Sequence, residues 1–190
     1  MSIQQTHRIT ERLSHIIKLI KPGAQIDQVL DVGCGDGCIT EGIAKHFKII
    51  VNAVDVMTKL PEERIGVTYS KLSDGTTPTL LPDCSIDMVT CFVSIHHFEN
   101  VSRMLSDIQR VVRPGGYLFI REHDVDPDDF NKKKYIDDVH KKYNDDLPRI
   151  YYSKKELADL LASYGFTHIG DSMYTMKNPQ ALYHAMFMRV

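Results

Sequence analysis

The sequence is 190 residues long, 43% hydrophobic and 25% charged, with a formal net charge of −2. That length supports one domain with a sizeable core. The near-neutral balance argues against a protein held to nucleic acid by overall basic charge, although a local basic patch remains compatible with it. No apolar segment approaches the roughly 18 residues of a membrane span, and no leader with a cleavage site is apparent. A cytoplasmic protein with no membrane partner is therefore expected.

In chain order, residues 6–20 place Ile9, Leu13, Ile16, Ile17 and Ile20 on one helical face, and Lys21-Pro22-Gly23 ends that helix. Residues 28–32 read as a strand that leads into a turn holding Gly33, Gly35 and Gly37. These glycines permit a sharp turn and a close approach to a ligand. A helix over Cys38–Phe47 follows. Residues 49–54 are a nearly continuous apolar run, as in a strand covered on both faces, and they stop at Asp55. Residues 67–71, 86–93 and 117–120 are further strands, Val101–Val111 is a helix, and Arg113-Pro114-Gly115-Gly116 reads as a turn. This alternation implies a parallel sheet with helices on both faces.

A charged stretch over residues 124–150 breaks the pattern. Within it Lys132, Ile136, Val139 and Tyr143 share a face and predict a short helix. Ser153 and Glu156 form a capping box for a helix ending near Gly165, and residues 166–169 and 185–190 read as closing strands. The cysteines, at positions 34, 38, 84 and 91, have no metal-ligand spacing. Cys34 and Cys38 admit a redox-pair reading, but small side chains in a crowded turn explain them more simply, and reduced thiols are expected.

Ligands of an open parallel sheet bind outside the carboxyl ends of its strands. Asp31, Asp55 and Asp74 each fall at or just past a predicted strand end, which aligns them along one edge. Asp55 lies 18 residues beyond Gly37, where a carboxylate accepts from both ribose hydroxyls and repels a 2′-phosphate. Each acid alone reads equally well as a cap or turn residue; the set points to a ligand. His96 and His97 follow the strand over 86–93, and Arg121-Glu122-His123-Asp124 follows the one over 117–120. A histidine beside a carboxylate suits proton transfer near neutral pH. No metal site is expected, because no second cluster has the needed spacing.

VLDVGCGDG, Asp55, SDGTTPTLLPDCSIDMVTCFVSIHHFEN and VVRPGGYLFI, in that order, resemble the class I S-adenosylmethionine-dependent methyltransferases. The resemblance is greatest to the small single-domain group with a His-His pair after the fourth strand. It covers residues 29–120, and ELADLLASYGF over 156–166 agrees with it. It implies a Rossmann-like α/β sandwich with a seven-stranded, mostly parallel sheet whose last strand, from Tyr183 to Val190, is antiparallel. It also implies S-adenosyl-L-methionine as cofactor. Gly33, Cys34 and Gly35 would cradle the methionine part, with Asp31 near its amino group and Arg8 near its carboxylate. Asp55 would hold the ribose, Asp74 the adenine amine, Gly75 the ring edge and Met57 the adenine face. Cys91, Phe92 and Val93 would pass the sulfonium.

The implied reaction is in-line transfer of the methyl group to an oxygen or nitrogen acceptor, helped mainly by positioning. His96, His97, Glu122 and His123, with Asp124 beside them, are the candidates where a base is needed. His96 and His97 also read as caps of the following helix. The resemblance places a cofactor-covering helix at residues 1–23 and a substrate-covering insert at 124–152, within one domain over 1–190. In that insert Lys132, Lys133, Lys134, Lys141, Lys142 and Arg149 alternate with Tyr135, Tyr143, Tyr151 and Tyr152, as an RNA substrate would require. Aspartates nearly balance those lysines, which reads instead as a solvated helix.

The Lys-Asp-Lys-Glu set of nucleic-acid 2′-O-methyltransferases is missing near Asp87–His97 and Tyr117–Asp124. Phe92-Val93-Ser94-Ile95 also differs from the Asn/Asp-Pro-Pro-aromatic run of enzymes that methylate adenine amines. A small-molecule acceptor is therefore expected, with an RNA cap or terminal nucleotide as the alternative. A catalytically silent subunit supporting a partner is a further reading. An NAD-dependent oxidoreductase is the weakest, since Cys38 stands where the final dinucleotide glycine belongs.

Overall fold

The computed structural model describes residues 3–56, 63–71, 80–142, 149–172 and 181–190. Met57, Asp74, Gly75 and Tyr143 lie outside the described residues. The elements in order are α1 (Ile3–Leu19), β1 (Val29–Val32), α2 (Cys38–Phe47), β2 (Val51–Asp55), β3 (Val67–Lys71), β4 (Ile86–Phe92), α3 (Val101–Val111), β5 (Val112–His123), α4 (Phe130–Lys141), α5 (Lys154–Ser163), β6 (Phe166–Asp171) and β7 (Leu182–Arg189). A short 3-10 turn, Ile95–His97, follows β4.

The strands form one sheet in the order β3-β2-β1-β4-β5-β7-β6. Neighbours from β3 to β5 pair in parallel, and β7 runs antiparallel between β5 and β6. This is the expected Rossmann-like sandwich with an antiparallel last strand. Alternation along each strand sends side chains to two cores. Leu30, Val32, Leu118, Ile120 and Phe187 pack with Leu105 and Ile108 of α3 and Leu157 and Leu161 of α5. Val29, Tyr117, Phe119 and Met186 pack on the other face with Ile16 of α1 and Ile43 of α2. Cover on both faces is why these strands read as unbroken apolar runs.

Two local expectations change. Arg113-Pro114-Gly115-Gly116 is a bulge inside a longer β5 rather than a turn before it. Ile86 pairs with Val112 and Met88 with Tyr117, so the extra residues loop out while pairing continues on either side. The helix after β4 is capped by Asn100, whose side chain accepts from the Arg103 N–H at 2.9 Å, and not by His96 or His97. The predicted helix in the charged stretch is α4, and the Ser153/Glu156 capping box opens α5 as expected. All four cysteines are free thiols. No helix among the described residues is long and apolar enough to cross a membrane.

Candidate active site

The glycine turn is stitched to its neighbours by several hydrogen bonds. Gly33 N–H donates to Val54 O of β2 at 2.9 Å, and Gly35 N–H donates to Asp55 Oδ2 at 2.7 Å. Ser94, just past β4, donates through its hydroxyl to Val32 O at 2.9 Å. Gly33 has φ of 74°, and a Cβ there would overlap the Ser94 side chain. Only glycine satisfies both demands. At Gly35 an added Cβ would meet nothing within 4 Å, so bare backbone faces open space.

That space is a cavity of about 690 Å³ at the carboxyl ends of β1 and β4. Of the residues singled out in the sequence, Arg8, Asp31, Gly33, Cys34, Gly35, Phe92 and Val93 line it. Asp55 is not among the lining residues and holds the turn through Gly35. Cys91 is fully buried within β4 and is not part of the lining. Arg12, Asp36 and Ile39 also line the cavity and were not foreseen. The signal for Arg12 was present, since it sits one helical turn after Arg8 on α1.

Asp31 is 1% exposed. Thr40 donates to its Oδ2 at 2.5 Å, and Thr90 of β4 donates to its Oδ1 at 2.7 Å. Burial pushes its carboxyl up to about 6; the two hydroxyls oppose the shift and the nearby Asp55 charge adds to it. Burial, with the charges of Asp31 and Asp55, also raises the Cys34 thiol far above its ordinary value. Cys38 shifts in the same direction, chiefly by burial. Thiols held protonated in this way speak against the redox-pair reading. The cavity thus offers two guanidinium groups, one buried carboxyl and exposed backbone, a set complementary to the zwitterionic end of an amino acid.

The second group of predicted residues gathers in the turn past β4 and at the last residues of β5, which extends to His123 and so contains Arg121, Glu122 and His123 instead of ending before them. His96 and Glu122 are 2% and 3% exposed, and Nδ1 of His96 lies 2.7 Å from Glu122 Oε1. Glu122 also accepts from the His123 N–H at 2.9 Å and the Ile95 N–H at 3.1 Å. Burial alone would raise the Glu122 carboxyl, but His96, its hydrogen bond and His123 hold it down to about 2. An ionised carboxylate only accepts, so His96 Nδ1 is the donor, and its Nε2 is buried with no hydrogen-bond partner among the described residues.

His97 lies against His96, with ring centroids 4.0 Å apart, and His123 stands edge-on at 5.2 Å. His140 of α4 reaches the same cluster, 5.1 Å from His96 and 5.2 Å from His97. His140 was missed because only the fold brings it near. It follows buried Ile136 by one helical turn, which is the spacing that could have revealed it. Asp124 turns away from the cluster and accepts from the Lys154 N–H at the start of α5.

The charged insert closes over this region. Ile150 N–H donates to His96 O at 2.8 Å, and Tyr151 stacks on His96 with centroids 6.2 Å apart. A cavity of about 590 Å³ beside it is lined by Lys133, Asp137, Lys141, Arg149 and Tyr151, among others. The local acids and carbonyls engage much of this charge. Tyr151 and Arg149 both reach Asp137, Lys134 pairs with Asp138, and the ammonium groups of Lys132 and Lys133 donate to the carbonyls of Asp124 and Pro127.

Residues 4–169 match the profile of a methyltransferase-domain family. The chain is similar to a ubiquinone biosynthesis O-methyltransferase of Dechloromonas aromatica, at 34% identity over 101 residues that span 49% of this chain and 43% of that protein. It is also similar to a thiol S-methyltransferase of Mus musculus, at 29% identity over 106 residues, 52% of this chain and 43% of that one. The match thus spans less than half the length of these two curated relatives. Among solved structures, a geranyl diphosphate methyltransferase in complex with S-adenosylmethionine superposes with a TM-score of 0.71 and 14% identity, covering 97% of this chain and 87% of that one. A chain from the Haloferax volcanii complex of the Trm112 methyltransferase activator and a methyltransferase gives 0.70 and 11%, covering 97% and 93%. These structural likenesses show the fold.

Proposed function

The chain belongs to the methyltransferase-domain family, and on that premise we propose that it is a methyltransferase using S-adenosyl-L-methionine on a small-molecule acceptor. The observation that carries this reading is the cavity against the glycine turn, where Arg8, Arg12, Asp31 and the bare backbone of Gly35 meet. Asp31 suits the amino group and Arg8 or Arg12 the carboxylate of the methionine part. Asp55 belongs with the ribose, as the resemblance implies, and it keeps the turn in place through Gly35. When bound, the cofactor supplies a methyl group on a positively charged sulfur, open to a nucleophile in line with the C–S bond.

The chain's own contribution is position and proton control. Phe92 and Val93 at the end of β4 form the cavity wall next to the turn that carries His96. Glu122 fixes the His96 ring and its tautomer, so a basic nitrogen is presented without rotating away. Glu122 is therefore a positioning residue, committed to three N–H donors. Tyr151 and the 149–152 segment cover His96 and keep bulk water from it.

The locally engaged lysines of α4 support a small acceptor over RNA, because few of them are left to meet phosphates. The intact lining and the buried His–Glu pair likewise support a working enzyme over a silent subunit. The expected acceptor atom is oxygen or nitrogen, and the similarity to a thiol S-methyltransferase adds sulfur to the panel. The test is transfer of a labelled methyl group to phenols, amines, thiols and capped RNA. Turnover of a small molecule is expected. Turnover of the capped RNA alone would replace this reading with the RNA one, and a protein that binds the cofactor yet methylates nothing would favour the silent subunit.

A further inference from the structure

We propose that His96, His123 and His140 hold a divalent first-row transition ion such as Zn2+, leaving an open position toward the acceptor. The three imidazoles come from the turn after β4, the end of β5 and α4, and one ligand atom from each lies within 4.8 Å of the others. A sequence reading finds no such site because His140 stands 17 positions beyond His123, on a helix whose docking is a matter of tertiary structure.

A second observation points the same way. His96 is 2% exposed, its Nδ1 is committed to Glu122, and its buried Nε2 has no hydrogen-bond partner among the described residues. A buried lone pair in this state carries a desolvation cost that a bound cation would offset. A carboxylate behind the ring, holding Nδ1–H, is the arrangement that orients a metal-bound imidazole and strengthens its donor nitrogen.

The donor set chooses the metal. Neutral imidazoles favour zinc and its first-row neighbours over magnesium or calcium, which take oxygen ligands. Three protein ligands with one position open is the pattern of a catalytic rather than a structural zinc. Zinc–nitrogen bonds of about 2.1 Å set tetrahedral ligand atoms about 3.4 Å apart, so the rings, whose ligand atoms lie within 4.8 Å of one another, close by up to about 1.4 Å on binding. The half-buried His140 side chain can supply that movement. The other cluster of this kind, Glu11, His15 and His184, is less suited. There His15 pairs with Glu11 and with Ser172, and its ring stacks on His184 with centroids 3.9 Å apart.

The role of the ion rests on the transfer reading above, with the ion at Nε2 of His96 taking over the activation of the acceptor from the free imidazole; its binding does not. An acceptor hydroxyl or thiol entering the open position would release its proton to solvent along the path by which it enters, leaving a metal-bound alkoxide or thiolate. That atom then forms the new bond to the methyl carbon while the C–S bond breaks and the sulfur keeps its electron pair.

Untagged protein stripped with EDTA tests this by titration with Zn2+ against a chromophoric chelator, and with Co2+ followed through its visible absorption. One Zn2+ per chain is expected, at submicromolar Kd. Affinity should fall at least 100-fold in His140→Ala, whose half-buried site on α4 leaves the core intact. It should fall about 10- to 100-fold in Glu122→Gln, and stay unchanged in His15→Gln. Absence of stoichiometric binding, wild-type affinity in His140→Ala, or binding lost in His15→Gln instead would each overturn the proposal. Calorimetry with S-adenosyl-L-methionine on the same samples separates the two readings. Metal binding without cofactor binding refutes the transfer reading alone, and the reverse refutes the metal site alone.

Discussion

His96 Nδ1 meets Glu122 Oε1 at 2.7 Å with both side chains sealed from solvent, and the carboxylate is held below its ordinary range by that contact. A depressed carboxylate stabilises the fold above its unfolded value near 4.5, and the contribution is lost as pH falls toward about 2. Glu122→Gln keeps the shape but removes the charge. It should cost about 1–3 kcal/mol at pH 7 in urea unfolding. The gap from wild type should then shrink as pH drops below about 4.5. A gap that stays constant across that range would show that the contact with His96 is not what holds Glu122 ionised.

Asp31 behaves in the opposite sense. Its folded value of about 6 exceeds the ordinary 3.8, so its favourable contribution is present at low pH and lost as pH rises through about 6. Asp31→Asn is neutral throughout and fits between Thr40 and Thr90. The variant should gain on wild type between about pH 4 and 7, by an amount on the order of 3 kcal/mol at the upper end. Thermal melts across that range check the trend.

The same carboxyl sets a pH dependence on binding. An ammonium group prefers the ionised form, so S-adenosyl-L-methionine affinity should fall up to about tenfold for each pH unit below about 6. Asp31→Asn should bind weakly at every pH, with no such slope. A wild-type affinity that is flat from about pH 5 to 8 would place the amino group elsewhere.

Gly33→Ala joins a left-handed backbone to an overlap with Ser94. Strain and overpacking together should cost about 2–4 kcal/mol. Cofactor binding should suffer as well, because the turn is displaced from Val54 and Asp55. Denaturant melts and calorimetry on one sample would show both effects.

Lys133 and Lys141 border the second cavity without entering the cluster of histidines. Charge reversal, Lys133→Glu with Lys141→Glu, should leave turnover of a small acceptor within twofold. A loss of RNA binding or RNA turnover alone in this variant would restore the RNA reading.

Local signals in the sequence account for most of the architecture. Glycine spacing, the Ser153/Glu156 box and the apolar runs each encode a structure within a few residues, and α2, β3 and α3 have the expected bounds. Arg113-Pro114-Gly115-Gly116 misled because turn chemistry and a bulge use the same residues; only the partner strand decides between them. The site divides in the same way. Gly33, Gly35 and Asp31 follow from one contiguous stretch. Thr90 on Asp31 depends on β1–β4 register, and His140 on how α4 packs, neither of which is written locally.

Calorimetric titration with S-adenosyl-L-methionine and S-adenosyl-L-homocysteine, on wild type and Asp31→Asn, decides whether the cavity at the glycine turn holds the cofactor through the buried carboxyl. Micromolar binding of both ligands is expected at about pH 7.5, weakened at least tenfold in the variant while its fold is retained. A folded wild-type protein that binds neither ligand would contradict that reading of the cavity.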